Sequence, residues 1–155
     1  MSTLKILERK EWGALAPKRT TPMIHPILEA IFSYIEVRDL VDMQIVKKAQ
    51  QLHMDVKGFD DIECSFVIGR DGTIYEGRGW FNQPEERDST NGGNYLDIAF
   101  IGRVKGKPGD DPSLIAMLEL LQFGVDNRYL DENFYMIGNN FPKQFNERMK
   151  CNEEA

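Results

Sequence analysis

A chain of 155 residues, 41% hydrophobic and 28% charged, has the length for one hydrophobic core but not for two. Its net charge of -6, with no block of like charges, disfavours nucleic acid and an anionic membrane surface, both of which would repel it. No apolar run approaches the roughly 20 residues of a membrane span, and MSTLKILERKEW lacks the apolar stretch of a signal peptide. Localisation is therefore open between an intracellular protein and a domain excised from a secreted or membrane protein. The two cysteines, Cys64 and Cys151, are too far apart in sequence for spacing to pair them, which tilts the reading toward a reducing compartment.

Taken in order, residues 1–22 read as an irregular lead-in ending in Pro17 and Pro22, with Trp12 and Gly13 laid across the back of the domain. Met23 to His25 form a short buried strand stopped by Pro26, which has no amide proton for a ladder. From Ile27 to Val37 the apolar residues are too dense to choose between helix and strand. Between Asp39 and His53 the spacing of Val41, Ile45, Ala49 and Leu52 predicts an amphipathic helix. Cys64 to Ile68 and Thr73 to Glu76 are β-branched and aromatic runs, and Arg70-Asp71-Gly72 between them supplies the Asp-Gly pair of a tight hairpin. Gly77, Gly79 and Trp80 make a hinged exit that brings a large ring to the lip of a bend.

Residues 81–95 are polar and turn-rich, a surface loop of the kind that lines sites. Leu96 to Ile101 is a nearly continuous apolar run, as for a strand buried on both faces, with Asp97 the exception that needs a partner. Asp110 or Asp111 as N-cap and Pro112 at the first helical position open a second helix. Its stripe is Leu114, Leu118, Leu121 and Val125, and it ends around Asn127. Phe134 to Ile137 is a last short strand before Gly138, and beyond Pro142 the chain is polar. The fold class is α/β (mixed α+β), a central mixed sheet covered by helices on both sides. The organisation is a lead-in (1–22), one domain (23–141) and a polar C-terminal tail (142–155).

The motifs His53-Met54-Asp55, Gly58-Phe59-Asp60-Asp61-Ile62, Phe66-Val67-Ile68-Gly69 and Tyr75-Glu76-Gly77-Arg78-Gly79-Trp80 stand in one order at compatible spacing. Together they resemble the signature of peptidoglycan recognition proteins, relatives of N-acetylmuramoyl-L-alanine amidases. Glu11-Trp12-Gly13-Ala14, Ile98-Ala99-Phe100-Ile101-Gly102, Leu120-Leu121 and Gly124-Val125 extend the resemblance over roughly residues 9–140. It implies a three-layer domain with a groove that holds muropeptide. Catalytic relatives add a zinc held by two His and a Cys or Asp, with a Tyr beside it. The fourth metal position is left to a water made nucleophilic at neutral pH.

This chain departs from that ligand set. The first ligand belongs to a strand motif resembling Ile-Ile-His-His-Thr, and Met23-Ile24-His25-Pro26 stands there. The Tyr of Gly-Tyr-Asn-Phe is matched by Cys64, and the second His, of Gly-His-Arg, by Asn139. Glu147 is nearest in register to the third ligand, with Cys151 displaced. His25 is preferred as a structural histidine satisfied by its neighbours over a metal ligand. A cryptic site from His25, Cys64 and Glu147 is the lesser alternative. No catalytic residue, metal or cofactor is expected, the zinc of catalytic relatives being lost.

The resemblance places a ligand groove at His25, Cys64, Trp80, Phe81, Asn82, Asn94 and Tyr95. Asn94-Tyr95 replaces the Arg that reads a stem-peptide carboxylate, and Glu85 and Glu86 add repulsion unless Arg87 folds back. No Cys lies between His25 and His53 for the short disulfide of the family, and its usual C-terminal helix is expected to be missing or replaced by Asn146 to Ala155. The function implied is a non-catalytic peptidoglycan-recognition-like domain acting in innate immune recognition or signalling regulation. Its partners would be peptidoglycan fragments, another peptidoglycan-recognition domain or an immune signalling protein, with Phe81 and Tyr95 as a partner surface. A zinc amidase, and a decoy without peptidoglycan affinity, are the alternatives.

Overall fold

A computed structural model describes residues 4–86, 93–104 and 109–137. In chain order the elements are β1 (Ile6–Leu7), α1 (Arg9–Trp12), β2 (Ile27–Ile35), α2 (Asp42–Asp55), β3 (Phe66–Ile68), β4 (Ile74–Glu76), β5 (Leu96–Ile101), α3 (Pro112–Asp126) and β6 (Leu130–Ile137). The strands form one six-stranded mixed sheet in the order β1-β4-β3-β5-β2-β6. β3, β5, β2 and β6 run parallel, β4 is antiparallel to β3, and β1 lies parallel to β4 at the edge. α2 covers one face, where Ile45, Val46 and Ala49 pack with Trp12, Cys64, Val67 and Ala99. α3 covers the other, where Leu114, Met117 and Leu121 meet Ile27, Phe32, Ile98 and Phe100. The three layers are those expected from the sequence.

All six residues of β5 are buried, as the continuous apolar run requires of a strand between two helical layers. Asp97, within it, is fully buried, and its backbone is bound to Ser65 on both sides: Ser65 N donates to Asp97 O at 2.8 Å and Asp97 N to Ser65 Oγ at 3.0 Å. The hairpin turn is a three-residue loop, closed by Gly69 N donating to Thr73 O at 2.8 Å, with Gly72 at φ 91°. Asp71 Oδ1 accepts from Thr73 N at 2.9 Å.

Four expectations are corrected. The lead-in is not irregular: Ile6 and Leu7 pair with Ile74 and Tyr75, and Trp12 is fully buried under α2 with Nε1 donating to Glu76 O at 2.8 Å. A two-residue strand is too short to show a period, which is why the sequence hides it. Met23 to His25 are not a strand. Met23 N donates to Phe81 O at 2.8 Å and Ile24 is bound on both backbone groups by Asn94, so this segment zips to the loop after Trp80. The strand begins after Pro26 and takes the ambiguous run, as β-branched and aromatic density favours. The buried face of α2 is Ile45, Val46, Ala49, Gln50, His53 and Met54, not the stripe through Val41 and Leu52. Val41 is the extended N-cap residue, off the helical register and 63% exposed, and Leu52 is 38% exposed. Finally, β6 has eight residues rather than four, because parallel pairing with β2 extends from Ile27↔Leu130 to Ile31↔Ile137.

α3 starts as its sequence dictates, with Asp111 as N-cap accepting from Ser113 N at 2.9 Å and Pro112 in the first turn. Near its end Gly124 lies flat against the six-membered ring of Trp80, which also packs on Phe66 at 5.2 Å between centroids. A Cβ at Gly124 would overlap that ring. Replacing a helical Gly by Ala gains about 1 kcal/mol of propensity, and overpacking a tight contact costs about 1–3. The overlap outweighs the propensity. Gly124→Ala is expected to lower Tm by several degrees, whereas Gly109→Ala, with nothing within 4 Å, leaves it unchanged; differential scanning fluorimetry checks both.

The Asp71 carboxyl is held below its ordinary value of 3.8, first by the Thr73 backbone N–H it accepts. A depressed carboxyl contributes stability that is complete above the unfolded value and is lost as pH falls through the folded one. Asp71→Asn, which keeps an acceptor but not the titration, is expected to flatten that part of the acid limb in a series of melts from about two units below to about one unit above the ordinary value.

Candidate functional site

The parallel neighbours β2 and β5 leave the sheet at the same edge, with Ile35 opposite Ile101 and Gly102 N donating to Ile35 O at 2.8 Å. α2 stands beside that exit and does not close it. Between them lies a cleft of about 240 Å³, walled by Ile45, Lys48, Ala49 and Leu52 of α2 and by Tyr34, Ile35 and Glu36. The helix residues fall at i, i+3, i+4 and i+7, so one side of α2 faces the opening. The carboxyl ends of parallel strands are where open α/β sheets hold ligands. A wider hollow of about 730 Å³ continues from it over Val37, Ile101, Gly102 and Arg103, sharing Tyr34, Ile35 and Glu36.

One corner of the cleft is fixed by His53 and Glu63. Glu63 N donates to His53 Nδ1 at 3.0 Å, which leaves the ring proton on Nε2, 3.6 Å from Glu63 Oε1. Lys57 reaches the other oxygen of Glu63 at 3.9 Å. On the hollow's side Arg70 is tied to Asp42, Nε donating to Oδ1 at 2.7 Å. Arg38, Lys48 and Arg103 have no ion-pair partner among the described residues. Burial raises the Tyr34 phenol above its ordinary value, and the Arg103 charge partly offsets the rise. The cleft therefore combines apolar walls with unneutralised cations.

The residues expected to form a groove around Trp80 lie elsewhere. His25 Nε2 donates to Trp80 O at 2.8 Å, and its ring packs edge-on against Phe81 at 5.4 Å and tilted against Tyr129 at 5.7 Å. Trp80 is 7% exposed, in the core on the α3 side. Phe81 is 58% exposed, Asn82 bridges Pro22, and Asn94 clamps Ile24. Tyr95 is fully buried, its hydroxyl donating to Glu85 O. None of these residues lines the cleft. Cys64 is fully buried beneath α2, on the opposite side of the sheet from the core that holds Trp80. His25 and Cys64 are thus not brought together, and β2, the strand that follows His25, carries no histidine.

Among the described residues no three His, Cys, Asp or Glu side chains converge. Asn139, Glu147, Cys151 and Arg87 lie outside the described residues. Tyr34, Arg38, Lys48 and Arg103 were missed because their site depends on the assignment of β2. The one local signal was Lys48, a cation three residues after Ile45 and beside Ala49 of the apolar stripe. Among the described residues no helix is long and apolar enough to cross a membrane.

No protein-family model matches the chain. Among curated proteins it is 30% identical over 137 residues to a peptidoglycan recognition protein of Trichoplusia ni, covering 86% of this chain and 75% of that protein. It is 39% identical over 138 residues to peptidoglycan recognition protein 3 of Homo sapiens, covering 86% of this chain but 40% of the human protein's length. Among solved structures, tracheal cytotoxin bound to the ectodomain complex of PGRP-LCa and PGRP-LCx superposes with a TM-score of 0.76 at 32% identity. The match covers 86% of this chain and 83% of that one.

The bond from His25 to the Trp80 carbonyl makes a structural role testable. His25→Ala is expected to cost about 1–2 kcal/mol of stability and to leave the metal content of purified protein unchanged. Urea melts and elemental analysis read the two effects, and loss of bound zinc in the variant would reverse the assignment.

Proposed function

The chain belongs to the peptidoglycan recognition protein family, and from that premise we propose that it is a non-catalytic member that holds a peptidoglycan fragment in the cleft between α2 and the end of β2, acting in immune recognition. The observation that carries this reading is the open cleft itself, about 240 Å³ with Lys48, Arg38 and Glu36 at its walls and mouth. A disaccharide-peptide needs a concave surface with apolar walls and a few convergent polar groups, and this is such a surface. The non-catalytic part of the reading is supported by the ligand set: His25 is engaged by Trp80, Cys64 is under α2, and Asn stands at position 139. Without three ligands there is no open metal position at which to activate a water.

A second mode, contact with a homologous domain, is favoured by Phe81 and Ile24. They are 58% and 70% exposed and lie on segments zipped together by Met23 N and Phe81 O. Tyr95 belongs to no such surface, being fully buried. The relative whose structure holds tracheal cytotoxin does so as a complex of two recognition ectodomains.

Calorimetric titration with a monomeric disaccharide-tetrapeptide and with soluble polymeric peptidoglycan tests the reading. Saturable heat with at least one ligand, no release of free peptide and substoichiometric zinc are expected. Absence of heat with both would leave a decoy or regulator that acts through protein contacts alone. Stoichiometric zinc with peptide release would replace recognition by amidase chemistry.

A further inference from the structure

We infer that His53 is a pH-sensitive latch at the corner of the cleft: its neutral ring holds the turn between α2 and β3, and a second proton on that ring releases Glu63 from the mouth. This goes beyond the reading of the cleft as a peptidoglycan site and needs no ligand there.

The tautomer decides the matter. Glu63 N is a backbone N–H and can only donate, so His53 Nδ1, 3.0 Å away, is a bare acceptor. The ring is therefore neutral in this fold, its one proton on Nε2, 3.6 Å from Glu63 Oε1. His53 is 8% exposed, which leaves little room for water to replace the bond. The backbone of the same residue holds the other end of the turn, since Phe59 N donates to His53 O at 2.9 Å. One residue in the last turn of α2 thus ties down both ends of 59–63. A proton on Nδ1 would meet the Glu63 N–H donor to donor, and the two could not stay at that distance. The turn must then yield, because Cys64, the next residue, is fully buried beneath α2.

The surrounding charges do not compensate the lost bond. Of the groups that line the cleft with His53, Glu63 and Glu36 favour a second proton, Lys48, Lys57 and Arg38 oppose it, and Tyr34 is neutral. On the turn itself, Asp61 is occupied by Arg9 and Gln50, and Asp60 faces Arg19. Lys57 is drawn to Glu63 Oε2 at 3.9 Å and lies 5.7 Å over the Phe59 ring, so a positive charge already stands beside the imidazole. A group that the fold requires to be neutral contributes stability that is complete above the ordinary histidine value, about 6.5, and is lost as pH falls below it and the ring takes its proton.

The test is an NMR titration of the full chain without ligand, from about one unit above to about one and a half units below that value. The imidazole nitrogen shifts are read for His53, with His25 as the one other histidine in the chain. At the upper end His53 is expected to show Nδ1 bare and Nε2 protonated. As its ring is protonated, the amide protection of Glu63, corrected for the pH dependence of intrinsic exchange, should fall about tenfold, the value of one hydrogen bond. Protection of Ile98 to Phe100 in β5 should not change. His53→Gln, whose side-chain oxygen accepts from Glu63 N without titrating, should keep Glu63 protected throughout. An Nδ1-protonated ring at the upper end overturns the latch. So does Glu63 protection that stays constant while His53 is protonated, or that falls equally in His53→Gln. The tautomer and the coincidence of the two transitions are read in the unsubstituted chain, so the test stands even where the variant does not fold.

Discussion

Everything at the cleft depends on the parallel pairing of β5 with β2 on one side and β3 on the other. Six consecutive buried residues, Leu96 to Ile101, anchor the centre of the sheet between the two helical layers. A one-residue slip of β5 in that ladder would turn Ile98 and Phe100 from the α3 core into the α2 core. Register is therefore held by two cores at once, and the level exit of Ile35 and Ile101 follows from it. The corner that carries the free cations has its geometry set by apolar burial several residues away.

The second wall is held by polar burial. Asp61 is 2% exposed, accepts from Arg9 and from Gln50 Nε2 at 2.9 Å, and caps its own chain through Ile62 N at 2.7 Å. Gln50, 1% exposed, exchanges both amide groups with Leu15. Removing one member of such a buried charged set costs about 3–5 kcal/mol, because the rest are left uncompensated. The network ties the N-terminal segment, α2 and the turn before β3 into one unit. His53 and Glu63, at the mouth of the cleft, hang from that unit rather than from the sheet.

Much of the framework was legible in the sequence. The Asp71-Gly72 hairpin, the continuous run of β5 and the Asp111-Pro112 start of α3 each rest on a local rule, a turn needing positive φ, a strand buried on both faces, a capped helix. What was hidden depended on partners far away in the chain. Ile6 and Leu7 are a strand only because Ile74 and Tyr75 offer an edge, and Ile27 to Ile35 is a strand because β5 and β6 flank it. His25 stood near a motif in the sequence, but Trp80 and Asn94 draw its segment to the other side of the sheet. The cleft could not be read without β2, since Tyr34, Arg38 and Lys48 share no motif and meet only through the fold.

The two faces of the sheet have diverged in kind. On the α3 side, Trp80, Phe66, Tyr129 and His25 close into a packed aromatic cluster, and the segment after Trp80 is joined to Thr21 and Met23 by backbone bonds. On the α2 side a cleft stays open beside the β2 exit, and Arg38, Lys48 and Arg103 have no ion-pair partner among the described residues. Desolvating an unpaired cation is costly, so side chains such as Arg38 and Arg103 stay near water unless an anion arrives to compensate them. The stretch from His53 to Trp80 therefore serves as frame to both layers: Cys64 and Val67 pack under α2, and Phe66 and Trp80 pack under α3.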